Sequence, residues 1–284
     1  MPLRSTPTAR QERLGRELRR MREAAALTAR DTAKLLGVDP AKVSHIEAGR
    51  LGVSEARLRR IAAYYECGDV FLIEALAAMT HEQRGQGWWE AYRGILPASV
   101  RDVSEIEHHA TWLNALQITH APGVLQTEEY ARTIFGYVVP PLPNDQLEAL
   151  VQHRMERRGI LFRERPPTYR AVIHEAALRM RFCGRKVMRS QLEHLQDIGE
   201  LPHVEVRVIP FEAETYIGSG HAMLHMGGPV PQLDTVQIDS AQSVSFLDAD
   251  AQLKKFRAIF SLVDAGALDR QKSRDLIRSI AHGL

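Results

Sequence analysis

The chemistry this chain spells out most openly lies in Ala41, Lys42, Ser44 and His45, with Arg50 just beyond them. Small and polar side chains beside cations suit double-stranded DNA, where the outer side of a recognition helix meets base edges. Upstream, Thr28, Arg30 and Lys34 add a hydroxyl and two more cations, and cations at this density suit phosphate. Such residues read DNA only when a rigid element holds them. The stretch 28–49 carries the punctuation of two short helices joined by a tight turn, the sequence form of a helix-turn-helix. Thr28, with Asp31 three residues on, makes a carboxylate version of the capping box. Ala33, Leu35 and Leu36 give the first helix an apolar side, and Gly37 supplies the left-handed residue that ends it. Asp39 caps the second helix, and Pro40 sits in its first turn, where a missing N–H costs nothing. Val43 and Ile46, three apart, turn one side inward and leave Ala41, Lys42, Ser44 and His45 outside. Gly49 stops the helix.

Catalytic and metal-binding patterns are incomplete by comparison. His174-Glu175 begins an H-E-x-x-H motif whose second histidine is missing. His221 and His225 are four apart, which suits a metal on a helix. Among Gly218, Gly220, Gly227 and Gly228 they read as strand, where that spacing is about 13 Å. His108 and His109 are adjacent and point apart on either kind of element. Gly218-Ser219-Gly220 has no following lysine and no helix, so it reads as a hairpin loop rather than a phosphate loop. No enzyme, metal or cofactor is expected. A second set of residues is divided between core packing and a site for a small-molecule effector or a small partner protein. It comprises Trp88, Trp89 and Tyr92 on one side of a helix, Trp112, Gln126, Tyr130, Arg154 and Arg157.

Charge places the DNA-binding task at one end. Residues 1–65 hold 14 Lys and Arg against 7 Asp and Glu, a balance of +7, while the remainder holds 23 against 28, or −5. A basic head on an acidic body directs only the head to phosphate. A charge of +7 is modest, so tight and specific binding calls for two heads on one DNA, hence a homodimer held mainly by the body. Cys67 and Cys183 are far apart and in no CxxC pattern, so reduced packing roles are the default. The first residues lack the apolar run of a signal peptide, and no stretch approaches the length of a membrane span. A cytoplasmic protein with no membrane partner is expected.

Taken in order, 1–8 read as a disordered tail, and 9–26 as a helix with Leu14, Leu18, Met21 and Ala25 inward and Arg13, Arg16, Arg19, Arg20 and Arg22 outward. After the helix-turn-helix, Ser54 caps a fourth helix, and 70–79 form a fifth that closes the core or supplies a dimer contact. The polar, glycine-bearing stretch 80–87 marks the boundary: a DNA-binding domain at 9–80, a linker at 81–87 and a regulatory or dimerisation domain at 88–284. In the latter, helices are expected at 88–95, 127–135, 144–163, 175–182, 186–198, 248–264 and 269–282. Strands are expected at 110–119, 169–173, 204–209, 222–226 and 235–238. The fold class is α + β, an all-α five-helix domain followed by an α+β domain with a small, mostly antiparallel sheet.

Residues 9–66 resemble the five-helix DNA-binding domain of the Xre family of phage-repressor-like regulators, whose G-x-x-x-x-x-IE-x-G ending stands here between Gly37 and Gly49 with Ile46 and Glu47. The resemblance implies a structural pair between Glu47 and Arg22 of the first helix. The family's usual DNA-contacting Gln at the start of the second helix is replaced by Ala29. A second resemblance covers about 86–282, where GWWEAYRGILP, APGVLQTEEYAR, RMERRGIL, IHEAALRM with VMRSQLEHL, and LPHVEVRVIPF occur in that order. It resembles the C-terminal domain of the actinobacterial WhiJ-type regulators and implies a transcriptional regulator, often in an antitoxin-like arrangement with a small partner protein. His174 and Val124 depart from that pattern, which has Asp and Leu there. The two resemblances together imply a regulator that reads a pseudo-palindromic operator through a recognition helix at 40–48. Its control would come from a partner protein on the C-terminal domain or, alternatively, from a small-molecule effector; a repressor fused to a hydrolase is the remaining alternative.

Overall fold

A computed structural model of the chain describes residues 6–81, 87–214, 221–239 and 244–284. It divides into two compact units, Met1–Glu90 and Ala91–Leu284. Most of the expected linker at 81–87, most of the tail at 1–8 and the glycine-serine turn at 218–220 lie outside the described residues.

The first unit holds α1 (Ala9–Ala24), α2 (Ala29–Leu36), α3 (Pro40–Glu47), α4 (Glu55–Tyr64) and α5 (Val70–Thr80). Local chemistry sets the ends. Thr8 and Gln11 form one capping box, and Thr28 and Asp31 a second. Asp39 accepts the Ala41 N–H at 2.7 Å, and Ser54 caps α4. Gly37 ends α2 in the left-handed conformation. Leu18, Val43, Ile46, Leu58 and Ile61 form the buried centre, which Leu72, Leu76, Ala77 and Met79 of α5 close. Arg13, expected on the polar side of α1, is instead buried beside Glu17, also buried, at 3.2 Å, because a buried cation needs its own carboxylate.

The second unit is built on one six-stranded sheet in the order β3-β2-β1-β4-β5-β6. Its strands are β1 (Trp112–Gln117), β2 (Thr168–His174), β3 (Val204–Ile209), β4 (Met223–Gly227), β5 (Thr235–Asp239) and β6 (Val244–Leu247). The sheet is mixed: β1, β2 and β3 run parallel, and β4, β5 and β6 extend it in antiparallel pairing. The helices are α6 (Ala98–His109), α7 (Glu128–Gly136), α8 (Asn144–Arg157), α9 (Glu175–Arg179), α10 (Gly184–Ile198), α11 (Asp250–Gly266) and α12 (Arg270–His282). Side chains from α7, α9, α10 and α12 pack with Leu113, Ala115, Tyr169, Ala171 and Val206 on one face of the sheet. On the other face Leu253, Phe260 and Val263 of α11 pack with Leu116, Val172, Ile209, Met223 and Val236. Both faces of the central strands are thus covered, which is why β2 reads as a run of buried apolar residues rather than a clean alternation.

Several expectations shift. The helix at 88–95 is a short 3-10 turn, Trp88–Tyr92, and the division between units falls inside it. The long helix at 144–163 ends at Arg157 and continues as a 3-10 segment, Arg158–Phe162. Two elements without a sequence counterpart are α6, which follows Pro97, and the four-residue β6, half-buried and short enough to lack a periodic signal.

Candidate nucleic-acid interface

In the first unit α2 and α3 meet across Gly37, and α1 clamps α3 from behind. Arg22 Nε donates to Glu47 Oε1 at 2.6 Å and Nη2 to Oε2 at 3.0 Å, a two-pronged ion pair whose side chains are 11% and 10% exposed. A further Arg22 N–H reaches the Leu27 carbonyl at 2.8 Å, so one guanidinium ties α1 to α3 and to the loop before α2. The clamp also needs two glycines. A Cβ on Gly15 would lie 2.4 Å from the Glu47 carbonyl oxygen. A Cβ on Gly49, whose φ is +70°, would lie 2.8 Å from the Gln11 carbonyl oxygen. Thr32 and Tyr65 share a buried hydrogen bond of 2.7 Å between α2 and the end of α4.

With its inner side held this way, α3 exposes Ala41, Lys42 and Ser44 and leaves His45 half-buried at the rim. Arg30, Lys34 and Arg50 are also exposed. Thr28 is exposed, but its hydroxyl donates to Asp31 Oδ2 at 2.6 Å, so its side chain serves the cap of α2. The ion pairs sort the cations. On α1, Arg16 pairs with Glu12, Arg19 with Glu23, Arg20 and Arg13 with Glu17, and Arg22 with Glu47. On α4, Arg59 is held by Glu55 and Glu74. Among the described residues, Arg30, Lys34, Lys42, Arg50, Arg57 and Arg60 pair with no carboxylate; Arg60 gives one N–H to the Leu35 carbonyl at 2.7 Å. Arg57 and Arg60 escaped the sequence reading, although a signal was there: neither has an acid three or four residues away, whereas Arg59 has Glu55.

Of the second set of candidates, Gln126 and Arg154 are hydrogen-bonded to each other, and Trp112 stands on the opposite face of the sheet from Tyr169. Trp88 and Trp89 belong to the first unit, with rings edge to face at 5.9 Å, whereas Tyr92 and Trp112 belong to the second. Tyr92 donates to Glu156 at 2.9 Å and packs edge-on against His153. Tyr130 is fully buried, accepting the Ala121 N–H, and Gln126 is buried against the Ala121 carbonyl and Arg154. Neither Tyr130 nor Gln126 can serve as an open ligand contact. Arg157 is locked onto buried Glu107 by two hydrogen bonds, at 2.9 and 2.6 Å. Arg154 lies over the Phe135 ring at 4.8 Å, and burial pushes its guanidinium down to about 9. The physical reason that Trp112 is apart from Arg154 and Arg157 is strand alternation. Leu113 pairs with Tyr169, the buried phenol whose charge environment includes Arg154 and Arg157, and Trp112 points the other way.

Of the histidines, His225 is buried on β4 with Nε2 3.6 Å from Asp234, while His221 is exposed ahead of that strand. Among the described residues no three His, Cys, Asp or Glu side chains gather into a group that could hold a metal ion.

Comparison with known families agrees with the two-unit division. A helix-turn-helix domain family matches residues 13–76. A domain of unknown function, DUF5753, matches residues 100–279. The chain belongs to the DUF5753 family. No curated protein and no solved structure matches it. The helix-turn-helix domain makes the chain a DNA-binding regulator, and no described helix is long and apolar enough to cross a membrane.

Proposed function

We propose that the chain is a transcriptional regulator that binds a pseudo-palindromic operator as a homodimer, each copy reading one half-site with Pro40–Glu47. The supporting observation is the sorting of charge in the first unit. Arg13, Arg16, Arg19, Arg20 and Arg22 of α1 are spent on carboxylates, while among the described residues the cations without one lie on α2, α3, α4 and at Arg50, and α3 exposes Ala41, Lys42 and Ser44. Unpaired cations supply phosphate contacts that set register, and the side chains of α3 supply base readout. Dimerisation follows from need: one recognition helix reads too few base pairs to single out a site in a genome.

The second unit is a receiving domain rather than an enzyme. Control by a small partner protein, the antitoxin-like arrangement that the WhiJ resemblance implies, is one form of this reading. A small-molecule effector is the other, and the cleft beside Trp112 favours it. Genome-wide mapping of bound DNA is the direct test, since it yields the operator and its half-site spacing together. A set of bound sites without a shared inverted repeat would overturn the operator reading.

A further inference from the structure

The face of the sheet covered by α11 is only partly filled. Its apolar contacts are with Leu116, Val172, Ile209, Met223 and Val236, and at the starting ends of β1, β2 and β3 a half-open cleft of about 440 Å³ remains. Pairing of Trp112 with Thr168, Asn114 with Arg170, and Arg170 with Glu205 puts these five side chains on the same face, and Arg270, the first residue of α12, lines the cleft with them.

Each of these groups has a distinct state. Trp112 is half-buried and held from behind: its ring stands edge to face with His225 at 4.8 Å, and a Cβ on Gly227 would lie 2.2 Å from the indole. It is therefore a fixed flat surface at one end of the cleft. The side chains of Asn114 and Thr168 have no hydrogen-bond partner among the described residues. Arg170 is compensated, by Glu205 at 2.9 Å and Asp264 at 3.4 Å. Arg270 gives one N–H to the Gly199 carbonyl and pairs with no carboxylate among the described residues, so one positive charge is left over. Arg270 lines the cleft with Val204 and Glu205 of β3, and Trp112 stands on β1, so the cleft crosses two strand spacings, about 10 Å.

We propose that this cleft binds a small planar aromatic acid, with its ring against Trp112, its polar edge at Asn114 and Thr168, and its acid group at Arg270. A few convergent polar groups beside an aromatic wall are the usual make-up of a small-molecule site. The proposal rests on reading the second unit as the receiving domain, and it names the class of signal received.

The test is calorimetric titration of the full-length protein with indole-3-propionate and 4-hydroxycinnamate, each beside its primary amide as a neutral control. The expected result is binding of at least one acid, about tenfold weaker binding of its amide, and a similar loss in Arg270→Gln and in Trp112→Leu. Arg270 is exposed, so Arg270→Gln remains informative even where Trp112→Leu fails to fold. Failure of both acids to bind at millimolar concentration, equal affinity for acid and amide, or indifference to Arg270→Gln would each overturn the proposal. Operator affinity measured with and without the bound acid tests the regulatory reading separately: an acid that binds through Trp112 and Arg270 without changing DNA affinity keeps the site and removes its effector role.

Discussion

At the scale of single residues, three groups make predictions that do not depend on one another. Lys42 and His45 stand on the exposed side and rim of α3. Lys42→Ala combined with His45→Ala should abolish preference for the operator over random DNA while circular dichroism stays unchanged; retained preference would remove α3 from base readout. Arg57 and Arg60 are assigned to phosphate. Arg57→Gln and Arg60→Gln should each weaken binding to all sequences alike and lower the slope of log K against log salt by about 0.9. A loss confined to the cognate operator would mean that they touch bases instead. His153 carries the pH prediction. It is buried, hydrogen-bonded to Ser104 at 3.0 Å, and held neutral with its pKa pushed down to about 3, by burial first and then by Arg157 and Arg154. The unfolded imidazole titrates near 6.5, so this stability is present in full above that pH and is lost as the pH falls from there toward 3. The loss is about 1.4 kcal/mol per pH unit. His120 and His194, also pushed down by burial, act in the same direction. Melting of the second unit at pH 7.5 and 5.5 should show the drop, and His153→Gln should flatten it.

At the scale of elements, the helix-turn-helix is held by the contact of α1 with α3. Two opposing effects meet at Gly15. Alanine would favour the helix by up to about 1 kcal/mol over glycine. Its Cβ, however, would be 2.4 Å from the backbone of Glu47, which cannot step aside as a side chain can. Overpacking of this kind costs about 1–3 kcal/mol, so the clash should win and Gly15→Ala should lower the melting temperature of the first unit. An increase would show that α1 and α3 can separate freely. The Arg22–Glu47 pair is the polar part of the same contact. Removing one partner of a buried pair costs about 3–5 kcal/mol, and with about a tenth of each side chain exposed the lower end applies. Glu47→Ala should therefore destabilise the first unit far more than Glu23→Ala, whose ion pair with Arg19 is open to water and contributes little. Equal effects of the two substitutions would deny the pair its clamping role.

At the scale of the whole molecule, the question is how one modest head becomes specific. The +7 of residues 1–65 already counts the acids that neutralise Arg13, Arg16, Arg19, Arg20 and Arg22, so each head brings only a modest net charge to phosphate. That is the argument for two heads on one DNA. The full chain should sediment as a dimer at micromolar concentration, and its operator should show half-sites about 34 Å apart or at a multiple of that distance. A monomer that protects a single half-site would refute this. Exposed apolar residues on α5, Val70 and the 81% exposed Phe71, make the first unit a competitor for the dimer contact. Phe71→Asp separates the alternatives, since it should leave sedimentation unchanged if the second unit carries the interface.

What the sequence determined by itself was local. Thr28 with Asp31, Gly37, and Asp39 with Pro40 act over four residues or fewer, so the two short helices and their turn could be placed before any tertiary contact was known. The same range contains the pairing of Arg16, Arg19 and Arg20 with acids one helical turn away, a pattern written in the spacing. The tertiary structure alone decided what depends on distant chain segments meeting. Gly15 matters because Glu47 arrives beside it, and Arg13 is buried although its helix position reads as polar. Trp112 and Arg154 could share a pocket on composition, and the register of β1 with β2 puts Trp112 on the opposite face of the sheet from Tyr169 and the arginines around it. Side-chain alternation has a period of two, so a single residue of register decides which face a side chain joins. That register is set by pairing across more than fifty residues of chain, which no local pattern encodes.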